Sequence, residues 1–283
     1  MRETVVLFLI IVLASCVGSG QDPASIRFPY EWIGPPGYGG FVIEEKEFVE
    51  PSGLDYHPIR KTLFVVSDEG LLMEFNTDGT QVFTMEIPGD LEGVAVHPKS
   101  GLVYIIHEGE DIILEFDPQT RKVLRKFPLN RSFGGNPNYI EKRTEDFDNG
   151  VESITFVPDE DHPEGGTFFM GNQWDPSCIM EVLVPLKSAE GVEAEATILR
   201  VLPFDLDDPA AMFYDTRTGY LNIVNDADNI LYELTLDGEL MNQYAFLGDN
   251  QEGITRDDSG FLYIAQDNGG ILKVKDLRFA RED

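Results

Sequence analysis

Leu91-Glu92-Gly93-Val94-Ala95-Val96-His97-Pro98 decides how the chain is read, because variants of it recur four more times. They are Ser52-Gly53-Leu54-Asp55-Tyr56-His57-Pro58, Glu152-Ser153-Ile154-Thr155-Phe156-Val157-Pro158, Ala210-Ala211-Met212-Phe213-Tyr214-Asp215 and Glu252-Gly253-Ile254-Thr255-Arg256-Asp257. Taking Ser52, Glu92, Glu152, Ala210 and Glu252 as equivalent gives spacings of 40, 60, 58 and 42 residues, a basic period near 40 with two insertions. That is the period of a propeller blade. A turn follows each copy, then a short apolar run such as Leu63-Phe64-Val65-Val66 or Val103-Tyr104-Ile105-Ile106, then a third run such as Leu72-Met73-Glu74-Phe75. β-branched and aromatic runs of this length bounded by Gly, Asp and Pro read as strands. Asp78-Gly79 and Asp237-Gly238 mark hairpins leading to a fourth.

The fifth unit stops after its third strand. Residues 41–48, Phe-Val-Ile-Glu-Glu-Lys-Glu-Phe, are expected to supply the missing outer strand and leave no unpaired edge. The expected fold is therefore all-β, a five-bladed β-propeller closed by an N-terminal strand, with six blades as the alternative.

Upstream, an apolar run from Val5 to Ala14 is too short for an ordinary membrane span and reads as an export signal. Leu13-Ala14-Ser15-Cys16 resembles a bacterial lipobox, which implies cleavage before Cys16, lipidation of its thiol and, with Val17 following, the outer membrane of a Gram-negative cell. The expected division is residues 1–15 as signal peptide, 16–40 as a Pro/Gly-rich tether and 41–283 as propeller. Phe28, Tyr30 and Trp32 suggest that part of the tether docks. After Cys16 only Cys178 remains, so no intramolecular disulfide is expected and Cys178 reads as a core residue.

Acidic residues outnumber basic ones 51 to 21, a net charge of −30. That excludes nucleic acid and unaided adsorption to anionic lipid, both of which need positive charge. In an antiparallel blade the start of the inner strand and the end of the second strand meet at the channel mouth. Ser52 to Asp68, Glu92 to Glu108 and Ala210 to Asp226 are each 16 residues apart, and Glu252 to Asp267 is 15. Glu92, Glu152 and Glu252 are thus expected to converge on the axis, with Asp68, Glu108, Asp226 and Asp267 around them, alongside Glu69, His107, Asn172 and Asn225. Converging carboxylates repel unless a proton or cation intervenes. An oxygen-only set suits Ca²⁺ rather than Zn²⁺; the alternative is that each Glu hydrogen-bonds backbone amides at the rim.

No nucleophile elbow, zincin helix, phosphate loop or Cys-x-x-Cys occurs. His57 and His97 repeat before Pro at the far end of the inner strand and read as turn residues. The insertion over 131–149 falls on the acidic side, where a lid more mobile than the strands is expected; that over 187–196 falls on the other side.

The Ser-Gly-Leu, Leu-Glu-Gly-Val-Ala, Val-Glu-Ser-Ile-Thr-Phe and Gln-Glu-Gly-Ile-Thr segments, with Val-Ser-Asp-Glu between, make residues 41–277 resemble the SdiA-regulated family of bacterial proteins. The resemblance implies a five-bladed, NHL-like propeller carrying calcium, with Glu92, Glu152 and Glu252 at the family's Glu positions. Pro209-Ala210-Ala211 departs from it. The functions that follow are a lipid-anchored, monomeric binding module for a protein, peptide or glycan, a metal-assisted hydrolase of lactonase or phytase type, or a structural spacer. Phytase-like chemistry wants Lys and Arg beside the metal, and the expected mouth supplies none.

Overall fold

The computed structural model describes residues 26–33, 40–41, 50–142, 150–189, 194–267 and 270–279, and everything structural below refers to them. All regular elements are strands. The first repeat folds as β3 (Pro51–His57), β4 (Thr62–Ser67), β5 (Leu71–Asn76) and β6 (Gln81–Glu86), an antiparallel meander in chain order. The second gives β7 (Leu91–Val96), β8 (Val103–His107), β9 (Ile112–Asp117) and β10 (Lys122–Asn130); the third gives β11 (Val151–Pro158), β12 (Gly166–Asn172), β13 (Cys178–Leu183) and β14 (Ala196–Val201). The fourth is β15 (Pro209–Asp215), β16 (Tyr220–Asn225), β17 (Ile230–Leu234) and β18 (Leu240–Ala245), and the last is β19 (Gln251–Arg256), β20 (Phe261–Gln266) and β21 (Ile271–Asp276).

The second and third repeats share one eight-stranded sheet, because their outer strands pair in parallel where Leu129 and Asn130 meet Ala196 and Thr197. The inner strands touch in the order β3, β7, β11, β15, β19, and β19 returns to β3. Sheet faces stacked around that ring make the core. Phe64, Phe75, Phe116, Phe168, Tyr104 and Tyr263 are among its fully buried side chains.

Two short N-terminal strands pair with the free edge of the last sheet, and of the expected residues 41–48 the described part is Phe41 alone. β1 (Tyr30–Trp32), within the stretch read as tether, pairs antiparallel with Val274–Asp276 of β21, and β2 (Gly40–Phe41) pairs with Ile271 and Leu272. Residues 42–49 lie outside the described residues. The reason lies in the side chains: Phe28 is 2% exposed and packs edge-on against Tyr244 and Phe246, while Tyr30 packs edge-on against Trp32. Apolar anchors thus position β1, the docking expected of Phe28, Tyr30 and Trp32. Phe28 N–H donates to the Ala245 carbonyl and Ala245 N–H to that of Ile26, so the same segment also straps β18.

A charge pattern repeats with the strands. Glu74, Glu115, Glu181 and Glu233 occupy one position on the third strand of four repeats, and each meets an arginine: Arg60, Arg125, Arg200 and Arg278. Arg60 binds both oxygens of Glu74, at 2.6 and 2.9 Å. The fifth repeat carries Lys273 there, lying over Phe261 and Tyr263.

Within the described part of the 131–149 insertion, both flanks of an exposed turn over 134–138 are tied to the propeller. Ile140 is 1% exposed in the core of the second and third repeats, Phe133 and Tyr139 pack against it, and Arg131 pairs with Asp111. Residues 143–149 lie outside the described residues. Cys178 is buried as expected, with its thiol pushed up to about 12 by burial. His57 and His97 hold turns: His57 Nδ1 accepts from Arg60 N–H and its Nε2 lies 3.1 Å from the Gly101 carbonyl, and His97 Nδ1 accepts from Ser100 N–H. No described helix is long and apolar enough to cross a membrane.

Candidate functional site: an acidic mouth on the central channel

Every inner strand is irregular at the same place. The pairing with the second strand shifts register between Pro51 and Gly53, Leu91 and Val94, Val151 and Ser153, Pro209 and Ala211, and Gln251 and Gly253. Ser52, Glu92, Glu152, Ala210 and Glu252 are therefore bulge residues. A bulge leaves its extra residue out of the ladder, bends the strand and re-aims a side chain, and here it turns one side chain per repeat toward the axis. The Gly that follows Ser52, Glu92 and Glu252 has a steric cause: a Cβ on Gly53 would stand 2.3 Å from the Glu92 carbonyl oxygen, and one on Gly93 2.8 Å from that of Glu152. At these two positions glycine lets neighbouring inner strands approach this closely; Ser153 holds the equivalent place in the third repeat and donates to the Pro209 carbonyl of the next inner strand.

The second strand closes the site from the other side. Glu108 N–H donates to the Asp90 carbonyl, Gln173 N–H to that of Gly150 and Asp267 N–H to that of Asn250, while Asp68 N–H donates to Ser52 Oγ. The constant spacing seen in the sequence is this clasp. Gly150 leaves room for the Glu108 carboxylate: a Cβ there would lie 2.0 Å from Glu108 Oε1, so that side chain would have to shift.

These elements enclose a cavity of about 260 Å³ lined by Ser52, Asp68, Asp90, Glu92, Glu108, Glu152, Gln173, Glu252 and Asp267. Six of the seven acids anticipated from spacing are on its wall. Asp226 stands off the wall and acts through its charge on Glu252. Asn172 is replaced on the wall by Gln173; its own amide holds the following loop, donating to the Trp174 and Pro176 carbonyls. Asn225 likewise donates to the Asp207 carbonyl, and His107 faces the carbonyls of Pro88 and Glu108. Spacing missed Asp90, whose carboxylate oxygen lies within 4.8 Å of those offered by Glu92 and Glu108. The signal was available: Glu50, Asp90, Asp208 and Asn250 each stand two residues before a bulge residue. Glu50, Asp208 and Asn250 there adopt left-handed backbone, with φ of 60°, 51° and 51°.

Packing these carboxyls together favours their protonated forms. Burial pushes Glu92 well above the usual carboxylate range, and the charges of Glu152, Asp90 and Glu252 add to it. Glu252 is raised well above that range by burial and then by Asp226, Glu152, Asp208 and Asp267. Asp68 is raised to about 7 by burial, a hydrogen bond with Glu50 and the charges of Glu50 and Asp90. Asp267 and Asp226 are raised by burial first and by neighbouring acids second. Such a cluster holds protons or exchanges them for a cation. Its donors are all oxygens, carboxylate with one amide and one hydroxyl, the set a hard divalent ion takes.

Below the mouth the channel narrows to a constriction of about 10 Å³ where Leu54, Val94, Ile154, Met212 and Ile254 converge. Each lies two residues past a bulge and is buried. The mouth is thus a blind acidic cup over an apolar plug.

Sheets arranged about a channel, with one bulged inner strand per repeat, define an all-β propeller carrying an acidic mouth. The SdiA-regulated family model matches residues 40–268, and the chain belongs to that family. Myxococcus xanthus glutaminyl cyclase is similar in structure, with a TM-score of 0.56 and 10% identity over 80% of this chain and 90% of that one. The β-propeller domain of Myceliophteria thermophila Cps50 (Swd1) matches with a TM-score of 0.45 and 10% identity, over 80% of this chain and 65% of that one. At such identity the likeness concerns the fold alone. No curated protein matches the chain.

Proposed function

We propose that this is a five-bladed, lipid-anchored envelope protein that binds Ca²⁺ at the acidic mouth and acts as an interaction module. The observation that carries the metal reading is the meeting of Asp90, Glu92 and Glu108, with ligand oxygens within 4.8 Å of one another, in a cavity that Glu152 and Glu252 also line. Glu92, Glu152 and Glu252 are the core of the ligand set, with Asp90 and Glu108 beside Glu92 and with Asp68 and Asp267 on the wall. Asp226 contributes charge from behind. The closed order of the inner strands, with β1 added to the last sheet, supports five blades. The anchor at Cys16 and the outer-membrane location rest on the lipobox. Cys16→Ser is expected to release the protein from the membrane fraction, and a variant that stays membrane-bound would remove the lipid from the proposal.

Calorimetric titration of Ca²⁺ into chelator-treated protein tests the site. Binding is expected, accompanied by proton release because raised carboxyls must ionise, and Glu92→Gln is expected to weaken it at least tenfold. Absence of binding at millimolar Ca²⁺ would leave the cluster as a proton-sharing rim.

A second reading, a metal-assisted hydrolase, draws on Glu92 and Glu252. A carboxylic acid that keeps its proton toward neutrality is a competent general acid. Among the described residues the cavity wall carries no Lys or Arg to hold a phosphoryl group, so an ester or lactone is the substrate class to assay.

A further inference from the structure

Opposite the acidic mouth, beyond the apolar plug, the channel opens into a second cavity of about 350 Å³ built from the other ends of the inner strands. Its size falls in the range of about 300–1,000 Å³ typical of small-ligand sites. The wall has two characters. On one side Pro98 and Pro158 present apolar surface, backed by the buried Phe156 ring that packs on His97; on the other stand Tyr56, Tyr214 and Arg217.

The charged groups here are already matched. Asp55 accepts from Thr255 Oγ1 at 2.7 Å, Tyr56 N–H at 2.7 Å and Val96 N–H at 2.8 Å. Arg256 is held by both oxygens of Asp215 at 2.6 and 2.7 Å, and Asp257 accepts from Tyr263 Oη at 2.9 Å. Asp258 is engaged by Lys61. Arg217 is different: its nearest carboxylate oxygens stand 3.5 and 3.6 Å away on Asp215 and Asp276, which Arg256 and Arg278 hold more closely. It lies over the Phe279 ring at 4.1 Å with its side chain 38% exposed, fixed in direction while its N–H groups remain available.

A cavity with an apolar wall, a hydroxyl-rich wall and a guanidinium whose charge Asp215 and Asp276 already balance at 3.5 and 3.6 Å suits a neutral ligand having an apolar face and a hydroxylated edge. A protein of net charge −30 also repels small anions. We propose that this end of the channel is a binding site for a neutral saccharide unit, its apolar face on Pro98 and Pro158 and its hydroxyls meeting Arg217, Tyr56 and Tyr214. The site shares no residue with the acidic mouth, so it stands whether or not Ca²⁺ binds there.

Saturation-transfer NMR on the full chain, with methyl β-glucoside, cellobiose and chitobiose as probes and hexanoate and a neutral hexapeptide as competitors, tests it. At least one saccharide is expected to bind in the millimolar range. Arg217→Ala is expected to lower that affinity about tenfold or more, a loss of roughly 1.4 kcal/mol or more, and Tyr56→Phe to lower it less. Both cavity variants change partly exposed side chains, and circular dichroism confirms that they fold. No saccharide signal at tens of millimolar, a signal indifferent to both variants, or preference for hexanoate or the peptide would each overturn the proposal.

Discussion

At the residue scale, the carboxyls of the mouth behave oppositely to most surface acids. Asp68 rises from 3.8 to about 7 on folding, and Glu92 and Glu252 also rise. A group whose pKa is higher folded than unfolded binds its proton more tightly in the native state, so the stability it contributes is present below the unfolded value and is lost as pH rises through the folded one. In excess chelator the melting temperature is therefore expected to fall between about pH 5 and about pH 8, and Ca²⁺ is expected to offset that fall at the alkaline end. A profile rising with pH over that window would contradict the burial assigned to these groups. Glu252→Gln separates charge from shape. Without metal it is expected to raise the melting temperature at the alkaline end, since one repelling charge is gone, and with Ca²⁺ to reduce the metal-induced increment. Calorimetric scans in the four conditions check both signs.

At the scale of the element, the bulged inner strand and the ring closure are the parts under most constraint. Gly53→Ala places a Cβ 2.3 Å from the Glu92 carbonyl, backbone that cannot rotate away. Overpacking of this kind costs about 1–3 kcal/mol, and because the obstruction is at the mouth it is expected to lower Ca²⁺ affinity together with stability, as urea unfolding and titration of one variant would show. Closure depends on Arg278, whose side chain is 5% exposed and which pairs with Asp276 and Glu233, themselves 0% and 4% exposed. Arg278→Ala leaves two buried carboxylates without that partner, a change that costs about 3–5 kcal/mol. Lys99→Ala, which removes an ion pair with both side chains more than two-thirds exposed, is the control, at about 0–1 kcal/mol. Equal losses in the two variants would mean that the Arg278 network is not what fastens β21.

At the scale of the whole molecule, the N-terminal segment closes the fold. Phe28 packs on Tyr244 and Phe246 of one repeat while β1 pairs with β21 of the next, so one short segment ties the last two repeats together. Phe28→Ala is expected to cost about 3–5 kcal/mol and to raise hydrogen exchange in β18 and β21 above that in β3–β5. Uniform acceleration around the ring would show instead that the repeats unfold as one unit, with no seam at the ends.

The sequence by itself determined the repeat, the strand order within each unit and six of the residues on the acidic wall, because these depend on periodicities a few residues or one repeat long. Glu92, Glu152 and Glu252 could be placed at the channel since each opens an inner strand, and a strand's end is a local property. Only the tertiary structure decided the rest. That Asp90 joins Glu92 and Glu108, that Gln173 replaces Asn172 on the wall, and that Tyr30–Trp32 completes the sheet of Ile271–Asp276 all depend on which groups meet across the axis or across the chain ends. The same holds for the far cavity, where Tyr56 and Asp258 are 202 residues apart in sequence yet share a hydrogen bond. Local pattern fixes the direction a residue faces along its own strand; which neighbour it finds there is set by the stacking of sheets, and no single segment of the chain encodes that.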